Sequence, residues 1–327
     1  MSKLVAVYSP VLLKQGFSYE KELFSRELDG EITLLPHKTT PREVLYEALA
    51  AADGLLTDYQ QVDEELLRHA PRLRSVSLLS TGYNVVDLNA AKKAGVAVCH
   101  VREYCTGEVA DHTMALLLAL ERNLRPYMEQ VEQGIWEFDR VAHAPRLAGQ
   151  TLCLFGLGKI SRAVALRAQA FGFQVTAVSR HATREEADRL NIRLVTREEA
   201  QETADVISNH MGLSEETRDY FNRDFFKNLR RSPIFLNLGR GASVCKPDLA
   251  EALDKGWVRA AGLDLLWKEN PELEGHPLLG RSNVIITPHA GFYSETSLTD
   301  MIRIACENLI YSLRGEHHLV DDYVIHP

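Results

Sequence analysis

The sequence predicts an α/β fold made of two open parallel-sheet lobes with a cleft between them. Three observations predict it. Short apolar runs alternate with amphipathic stretches over the first hundred residues, and a second series of the same kind starts at residue 151. The second series opens on a glycine loop, Phe155-Gly156-Leu157-Gly158-Lys159-Ile160-Ser161. Alternation of this type builds parallel sheets covered by helices. A length of 327 residues suits two such domains.

In the first series the strands are expected at residues 4–8, 32–35, 54–57, 75–79 and 96–99, each an apolar run closed by polar residues. Amphipathic stretches at 42–51, 64–69 and 87–94 supply helices between them. A long helical segment, 106–121, leads out of this region, and a loop around Pro145 follows. Strands of the second series are expected at 151–155, 174–178, 192–195, 205–209, 234–238, 259–264 and 284–287. The last helix, 294–313, comes after them.

Composition narrows the class of function. Hydrophobic content of 45% and charged content of 25% are ordinary for a globular chain. A net charge of -8, with basic residues dispersed, argues against nucleic acid as a principal partner. The opening Met1-Ser2-Lys3-Leu4-Val5-Ala6-Val7 reads as a first strand and lacks the apolar core of a signal peptide. The most apolar stretch, 114–120, is too short to span a bilayer. Cys99, Cys105, Cys153, Cys245 and Cys306 form no CxxC pair, so neither a disulfide framework nor a zinc site is expected. A metal-free cytoplasmic protein that binds no membrane is the expectation.

The glycine loop carries the first functional inference. Strand, tight turn and helix start are what a dinucleotide pyrophosphate needs. Gly156 and Gly158 let the backbone approach the phosphates, and the helix opening at Lys159 and Ile160 offers N–H groups and a positive dipole end. A strand at 174–178 follows at the distance of a βαβ unit, which makes this lobe a Rossmann domain. The alternative is an ordinary strand-to-helix turn.

Ligands of open α/β sheets bind outside the carboxyl ends of the strands, so the polar residues just past each strand carry most information. Those residues are Ser179-Arg180-His181, His210-Met211-Gly212, Leu238-Gly239-Arg240-Gly241, Asp264 with Glu269, and Pro288-His289-Ala290-Gly291. Together they suit hydride transfer to a 2-keto acid. The planar fork of Arg240 matches a carboxylate and can polarise the adjacent carbonyl. His289 is the natural proton donor to the oxygen that becomes a hydroxyl, and Glu269 would favour its charged form and orient it. Taken singly, each has a plainer reading: a cap donor for Arg240, a structural ring for His289, a solvated loop charge for Glu269. Only their joint occurrence persuades.

At this point the chain resembles the D-isomer-specific 2-hydroxyacid dehydrogenases, of the glyoxylate/hydroxypyruvate reductase kind, from about residue 80 to 315. The resemblance is carried by Gly107-Glu108-Val109-Ala110-Asp111-His112, Leu147-Ala148-Gly149-Gln150-Thr151, the glycine loop and Asn237-Leu238-Gly239-Arg240-Gly241. Gly262-Leu263-Asp264 with Glu269 and Thr287-Pro288-His289-Ala290-Gly291 complete it. It implies that Arg240, Glu269 and His289 are catalytic. Asp264 would hold the nicotinamide carboxamide, Thr106 would lie near the nicotinamide ribose, and His210, Leu238 and Gly239 would border the cofactor. Thr81 and Gly82, in Ser80-Thr81-Gly82-Tyr83-Asn84, match the family's substrate loop, where backbone N–H groups can form a nest for the carboxylate. The resemblance further implies a flavodoxin-like substrate domain, 1–100 plus 295–327, a nucleotide-binding domain, 101–294, and a homodimer built on the segment from Thr106 through Trp136 to Arg146.

Three departures from the family pattern stand out. Ser161 replaces the third loop glycine, and Gly212 stands where the family usually has proline. The carboxylate that would grip an adenosine ribose, roughly twenty residues past the loop, is replaced by Ser179-Arg180. A permanent cation and a hydroxyl there attract a 2′-phosphate, so NADP(H) is expected to be favoured, with NAD(H) possible; the alternative is that Arg180 stacks on adenine.

Two rival readings stay open. One is an oxidative enzyme acting on a phosphorylated hydroxy acid such as phosphoglycerate. The other is a nucleotide-sensing scaffold like the corepressors related to this family, whose histidine motif resembles the stretch from Thr287 to Glu295. Tyr59, Tyr83, Tyr104, Trp267, Phe292 and Tyr293 are candidates for the substrate pocket, and Phe292 is the best of them by that motif.

Overall fold

The computed structural model describes residues 2–9, 12, 18–268 and 271–327. The chain divides into two compact units, Met1–Tyr104 with Ser294–Pro327, and Cys105–Tyr293. Strands β1 (Lys3–Tyr8), β2 (Glu31–Pro36), β3 (Gly54–Thr57), β4 (Ser75–Leu78) and β5 (Ala97–His100) belong to the first, with helices α1 (Ser18–Leu28), α2 (Arg42–Ala50), α3 (Glu64–Arg68) and α4 (Leu88–Ala94). The second begins with α5 (Thr106–Glu121) and α6 (Leu124–Glu132). Its strands are β6 (Thr151–Phe155), β7 (Gln174–Val178), β8 (Arg193–Leu194), β9 (Val206–Asn209), β10 (Ile234–Asn237), β11 (Ala260–Leu263) and β12 (Val284–Ile286). Between them run α7 (Lys159–Ala170), α8 (Arg184–Arg189), α9 (Arg197–Thr203), α10 (Arg223–Lys227) and α11 (Lys246–Asp254). The chain finishes with α12 (Glu295–Arg314) and β13 (Tyr323–Ile325) in the first unit.

The first sheet runs β2-β1-β3-β4-β5-β13, parallel except for β13. Strands β3, β4 and β5 are buried along their whole length, because helices cover both faces of such a sheet. Helix α12 packs against β3, β4 and β5. A Cβ on Gly54 would stand 2.9 Å from Leu4 and 3.0 Å from Leu313, so a larger residue there would push those leucine side chains aside. Ser77 Oγ donates to the Ala305 carbonyl at 2.7 Å, and Asn308 Nδ2 donates to the His100 carbonyl at 3.0 Å.

The second sheet runs β8-β7-β6-β9-β10-β11-β12 and is wholly parallel. The order reverses beside β6, between β7 and β9, which is where such a sheet opens a crevice at its carboxyl end. The glycine loop leaves β6 at that point. Phe155, Phe221, Phe225, Phe226 and Phe235 are fully buried beneath it, with ring centroids of Phe221 and Phe225 4.9 Å apart, edge to face. This aromatic cluster anchors the strand that carries the loop.

Each expected strand appears within one residue of its expected ends. Two features were not anticipated. β13 pairs antiparallel with β5, which departs from purely parallel lobes. The helix expected at 106–121 is α5, and Asn123, in the left-handed region at φ 52°, separates it from a further helix, α6, that the sequence pattern does not mark. Among the described residues no helix is long and apolar enough to cross a membrane.

Candidate functional site

Gly156 follows β6 at φ 89°, and a Cβ there would stand 3.2 Å from the His210 carbonyl oxygen. Gly158 is the N-cap of α7; no side chain caps the helix, and a Cβ on Gly158 would meet nothing within 4 Å. A tight turn, an uncapped helix start and open space beside it fit a dinucleotide pyrophosphate. Ser161 is 1% exposed and its hydroxyl finds no hydrogen-bond partner, so it serves packing, as the family's glycine would. Gly212 likewise has open space around it, and the turn it begins is held by Thr217, whose hydroxyl donates to the Gly212 carbonyl at 2.8 Å.

Arg240 stands between two glycines for steric reasons. A Cβ on Gly239 would lie 2.8 Å from the Met211 carbonyl oxygen, and one on Gly241 would lie 1.9 Å from that of Leu266. A buried amide network fixes the backbone between them. Asn209 Nδ2 donates to Asn237 Oδ1 and to Ser243 Oγ, both at 2.8 Å. Ser243 Oγ in turn donates to the Arg240 carbonyl at 2.6 Å, and Asn237 Nδ2 reaches the same carbonyl at 3.1 Å. The half-buried guanidinium donates from Nη1 to the Gly239 carbonyl at 2.8 Å. The sequence pattern assigns no role to Asn209, Asn237 or Ser243, although two asparagines closing apolar strands are a visible signal.

Asp264, 4% exposed, organises the loop that carries His289. Its carboxylate accepts from the Thr287 hydroxyl at 2.6 Å, from the Ala290 N–H at 2.8 Å and from the Gly291 N–H at 2.9 Å. Its carbonyl accepts the His289 N–H at 2.8 Å. His289 sits at φ 53°, a left-handed conformation uncommon outside glycine, and these bonds hold it there. A Cβ on Gly291 would meet Asp264 Oδ2 at 2.8 Å, so that position admits only glycine. His112 Nε2 lies 2.9 Å from Thr287 Oγ1. Since the Thr287 hydroxyl gives its one hydrogen to Asp264, His112 Nε2 must carry the hydrogen of that contact. The same carboxylate that the resemblance assigns to the nicotinamide carboxamide also binds the protein's own loop.

Continuous contacts link the glycine loop to His289. Gly156 abuts His210, Gly239 abuts Met211, the Asp264 N–H donates to the Asn237 carbonyl at 3.0 Å, and Asp264 holds His289. The His210 ring bonds Ser208 Oγ at 2.8 Å, its Nδ1 is buried without a partner, and burial pushes its pKa down to about 4. The buried Leu238 follows β10, and its N–H donates to the Asn209 carbonyl at 3.2 Å. Thr106 opens α5, which is tied to α7 by Arg167 Nε donating to Asp111 at 2.6 Å.

Ser179 Oγ accepts the Ala182 N–H at 3.2 Å and keeps its own hydrogen to donate. Arg180 is exposed and forms an ion pair with Glu216, a partner the sequence did not reveal. The His289 and Phe292 rings meet edge to face at 5.8 Å. Trp267 packs on the core of the second unit and donates to the Val244 carbonyl, which accounts for it as packing. Glu269 lies outside the described residues. In the first unit, Ser80 Oγ donates to the Gly82 carbonyl at 2.6 Å and the Thr81 carbonyl contacts His100 Nδ1 at 2.9 Å, which shapes the loop around Thr81 and Gly82.

Comparison with known proteins bears on the family and the fold. Residues 114–291 match the family described as "D-isomer specific 2-hydroxyacid dehydrogenase, NAD binding domain". Glyoxylate/hydroxypyruvate reductase B of Pectobacterium carotovorum is 34% identical over 275 residues, 83% of this chain and 85% of that one. Glyoxylate reductase of Aeropyrum pernix is 32% identical over 312 residues, 93% of this chain and 92% of that one. The crystal structure of a D-lactate dehydrogenase from Aquifex aeolicus, complexed with NAD and lactic acid, superposes with a TM-score of 0.87 over 98% of this chain and 99% of that one. At 24% identity that likeness speaks for the fold. The chain belongs to the D-isomer specific 2-hydroxyacid dehydrogenase family and is an NAD(P)-dependent oxidoreductase of that family.

Proposed function

We propose that the protein reduces a small 2-keto acid, of the glyoxylate or hydroxypyruvate kind, to the D-2-hydroxy acid, with NADPH favoured. The observation that carries the reading is the pinned His289 loop, joined through Asp264 and Asn237 to the backbone of Arg240. Relatives named for glyoxylate and hydroxypyruvate support the substrate class. The nicotinamide supplies the hydride when bound. Arg240 binds the substrate carboxylate and polarises the carbonyl. His289, as imidazolium, gives its proton to the carbonyl oxygen, and Glu269 favours that charged form. The substrate lobe is the first unit, which carries the Thr81–Gly82 loop; the nucleotide lobe is the second, with Phe292 beside His289 bordering the substrate side chain. Gly156, Gly158, Lys159 and Ile160 hold the pyrophosphate.

Assay of purified protein against a panel of 2-keto acids with both reduced nicotinamides tests this. His289→Ala should lose mainly turnover, and Arg240→Ala should lose substrate affinity as well. Glu269→Gln should lower the pH at which reduction falls away. No turnover of any 2-keto acid would favour a nucleotide-sensing scaffold.

Cofactor preference rests on Ser179 and Arg180. A charge-assisted hydrogen bond to a 2′-phosphate is worth about 1.5–3 kcal/mol, roughly one to two decades of affinity. Arg180→Ala should erase much of the preference by raising the Michaelis constant for NADPH, and Ser179→Asp should reverse it. Equal or better efficiency with NADH in the unmodified protein would refute the assignment.

The protein is further proposed to be a cytoplasmic homodimer, since reduced thiols suit its five free cysteines. Helix α6 buries no residue, while Met128, Trp136 and Phe138 are 61%, 88% and 85% exposed. Large apolar side chains left exposed along one segment support an interface there. Sedimentation as a monomer at micromolar concentration would contradict it.

A further inference from the structure

We propose that Glu216 sets how strongly the protein discriminates between phosphorylated and unphosphorylated adenosine, by competing with a 2′-phosphate for Arg180. The inference rests on the assignment of Arg180 to that phosphate. Arg180 and Glu216 form an ion pair although both are well exposed. The two residues reach each other from opposite sides of β6. Arg180 stands two positions past the end of β7 and Glu216 lies in the turn after β9, and both strands pair with β6. Both turns are tied down. Ser179 Oγ accepts the Ala182 N–H at 3.2 Å, which shapes the first. Buried Thr217 staples the second: its hydroxyl takes the Ser214 N–H at 2.7 Å and donates to the Gly212 carbonyl at 2.8 Å. The Asp219 N–H adds a bond to the Ala242 carbonyl at 3.0 Å.

The consequence is electrostatic. A 2′-phosphate must take the guanidinium from a carboxylate already on it, and it brings its own negative charge beside that carboxylate. A nucleotide with a plain ribose displaces nothing. Glu216 therefore lowers affinity for the phosphorylated nucleotide selectively. The effect is modest, because an exposed pair stabilises by little and a fivefold change in affinity is about its ceiling.

Calorimetric binding of 2′,5′-ADP and of 5′-AMP to the unliganded protein tests this without turnover. Glu216→Gln should tighten 2′,5′-ADP about three- to fivefold and leave 5′-AMP within about twofold. Arg180→Ala should weaken 2′,5′-ADP, and adding Glu216→Gln to it should restore nothing. Unchanged 2′,5′-ADP affinity in Glu216→Gln, alongside a loss in Arg180→Ala, would overturn the role of Glu216 and leave that of Arg180 intact. A gain that persists without Arg180 would show direct repulsion and overturn the competition. No loss in Arg180→Ala would remove the underlying assignment, and this inference with it.

Discussion

His289 takes its place from Asp264, whose carbonyl accepts the His289 N–H at 2.8 Å and whose carboxylate accepts the two N–H groups that follow. A histidine at φ 53° carries backbone strain on the order of 1–3 kcal/mol, and bonds to a charged acceptor offset it. The side chain is thus aimed by a buried residue on the neighbouring strand.

Asp264→Asn should therefore act through His289. An amide can keep its oxygen toward the Thr287 hydroxyl and the Ala290 N–H, but its NH2 must then face the Gly291 N–H, donor against donor. Turnover should fall roughly 100-fold, the cost of a misplaced catalytic group, and stability by about 2 kcal/mol. Thr287→Val, which breaks the bridge to His112, should cost about tenfold, and Thr287→Ser should recover most of it. Steady-state rates with urea unfolding check all three; full turnover in Asp264→Asn would show that the loop holds itself.

Gly241→Ala should be among the most damaging single changes. The new Cβ would lie 1.9 Å from the Leu266 carbonyl oxygen, so the backbone must move at residue 241, next to Arg240, or at Leu266. A loss above about 4 kcal/mol is expected, read as loss of soluble protein or of cooperative unfolding. A stable, active Gly241→Ala protein would mean that Arg240 tolerates a displaced backbone.

Ser161→Ala should stabilise the protein. The hydroxyl is buried and unpartnered, and removing it recovers its desolvation cost, on the order of 1 kcal/mol. Chemical denaturation measures the gain, and a loss would reveal a hidden partner for the hydroxyl.

His210 should make the fold acid-sensitive. Burial holds its pKa down at about 4 in the folded state, against about 6.5 when unfolded. Between those values the unfolded chain binds the extra proton, so stability is complete above pH ~6.5 and falls as the pH drops toward ~4. The loss reaches on the order of 3 kcal/mol. His210→Gln should flatten this part of the stability–pH curve, measured by denaturation at stepped pH. An identical slope in the variant would mean that other groups carry it.

Much of the fold and the rim of the site were legible in sequence because both depend on local pattern. Parallel strands buried on both faces are continuous apolar runs, so β6 and β7 could be bounded to the residue. Arg240, Asp264 and His289 each follow such a run closely, and a sheet of known strand direction puts them on one edge. The short β13 is a strand only because β5 lies beside it. Its three residues carry no periodic signal.

The sequence by itself determined the two parallel-sheet units, the glycine loop and the order of polar residues along the rim. Tertiary structure alone decided what those residues touch. Asp264 serves the His289 loop, Asn209 and Ser243 lock Arg240 from 31 and three positions away, and Glu216 occupies Arg180. The physical reason is range. Apolar periodicity is written along a few neighbouring residues, whereas hydrogen bonds and ion pairs form between groups that only the folded sheet brings within 3–4 Å.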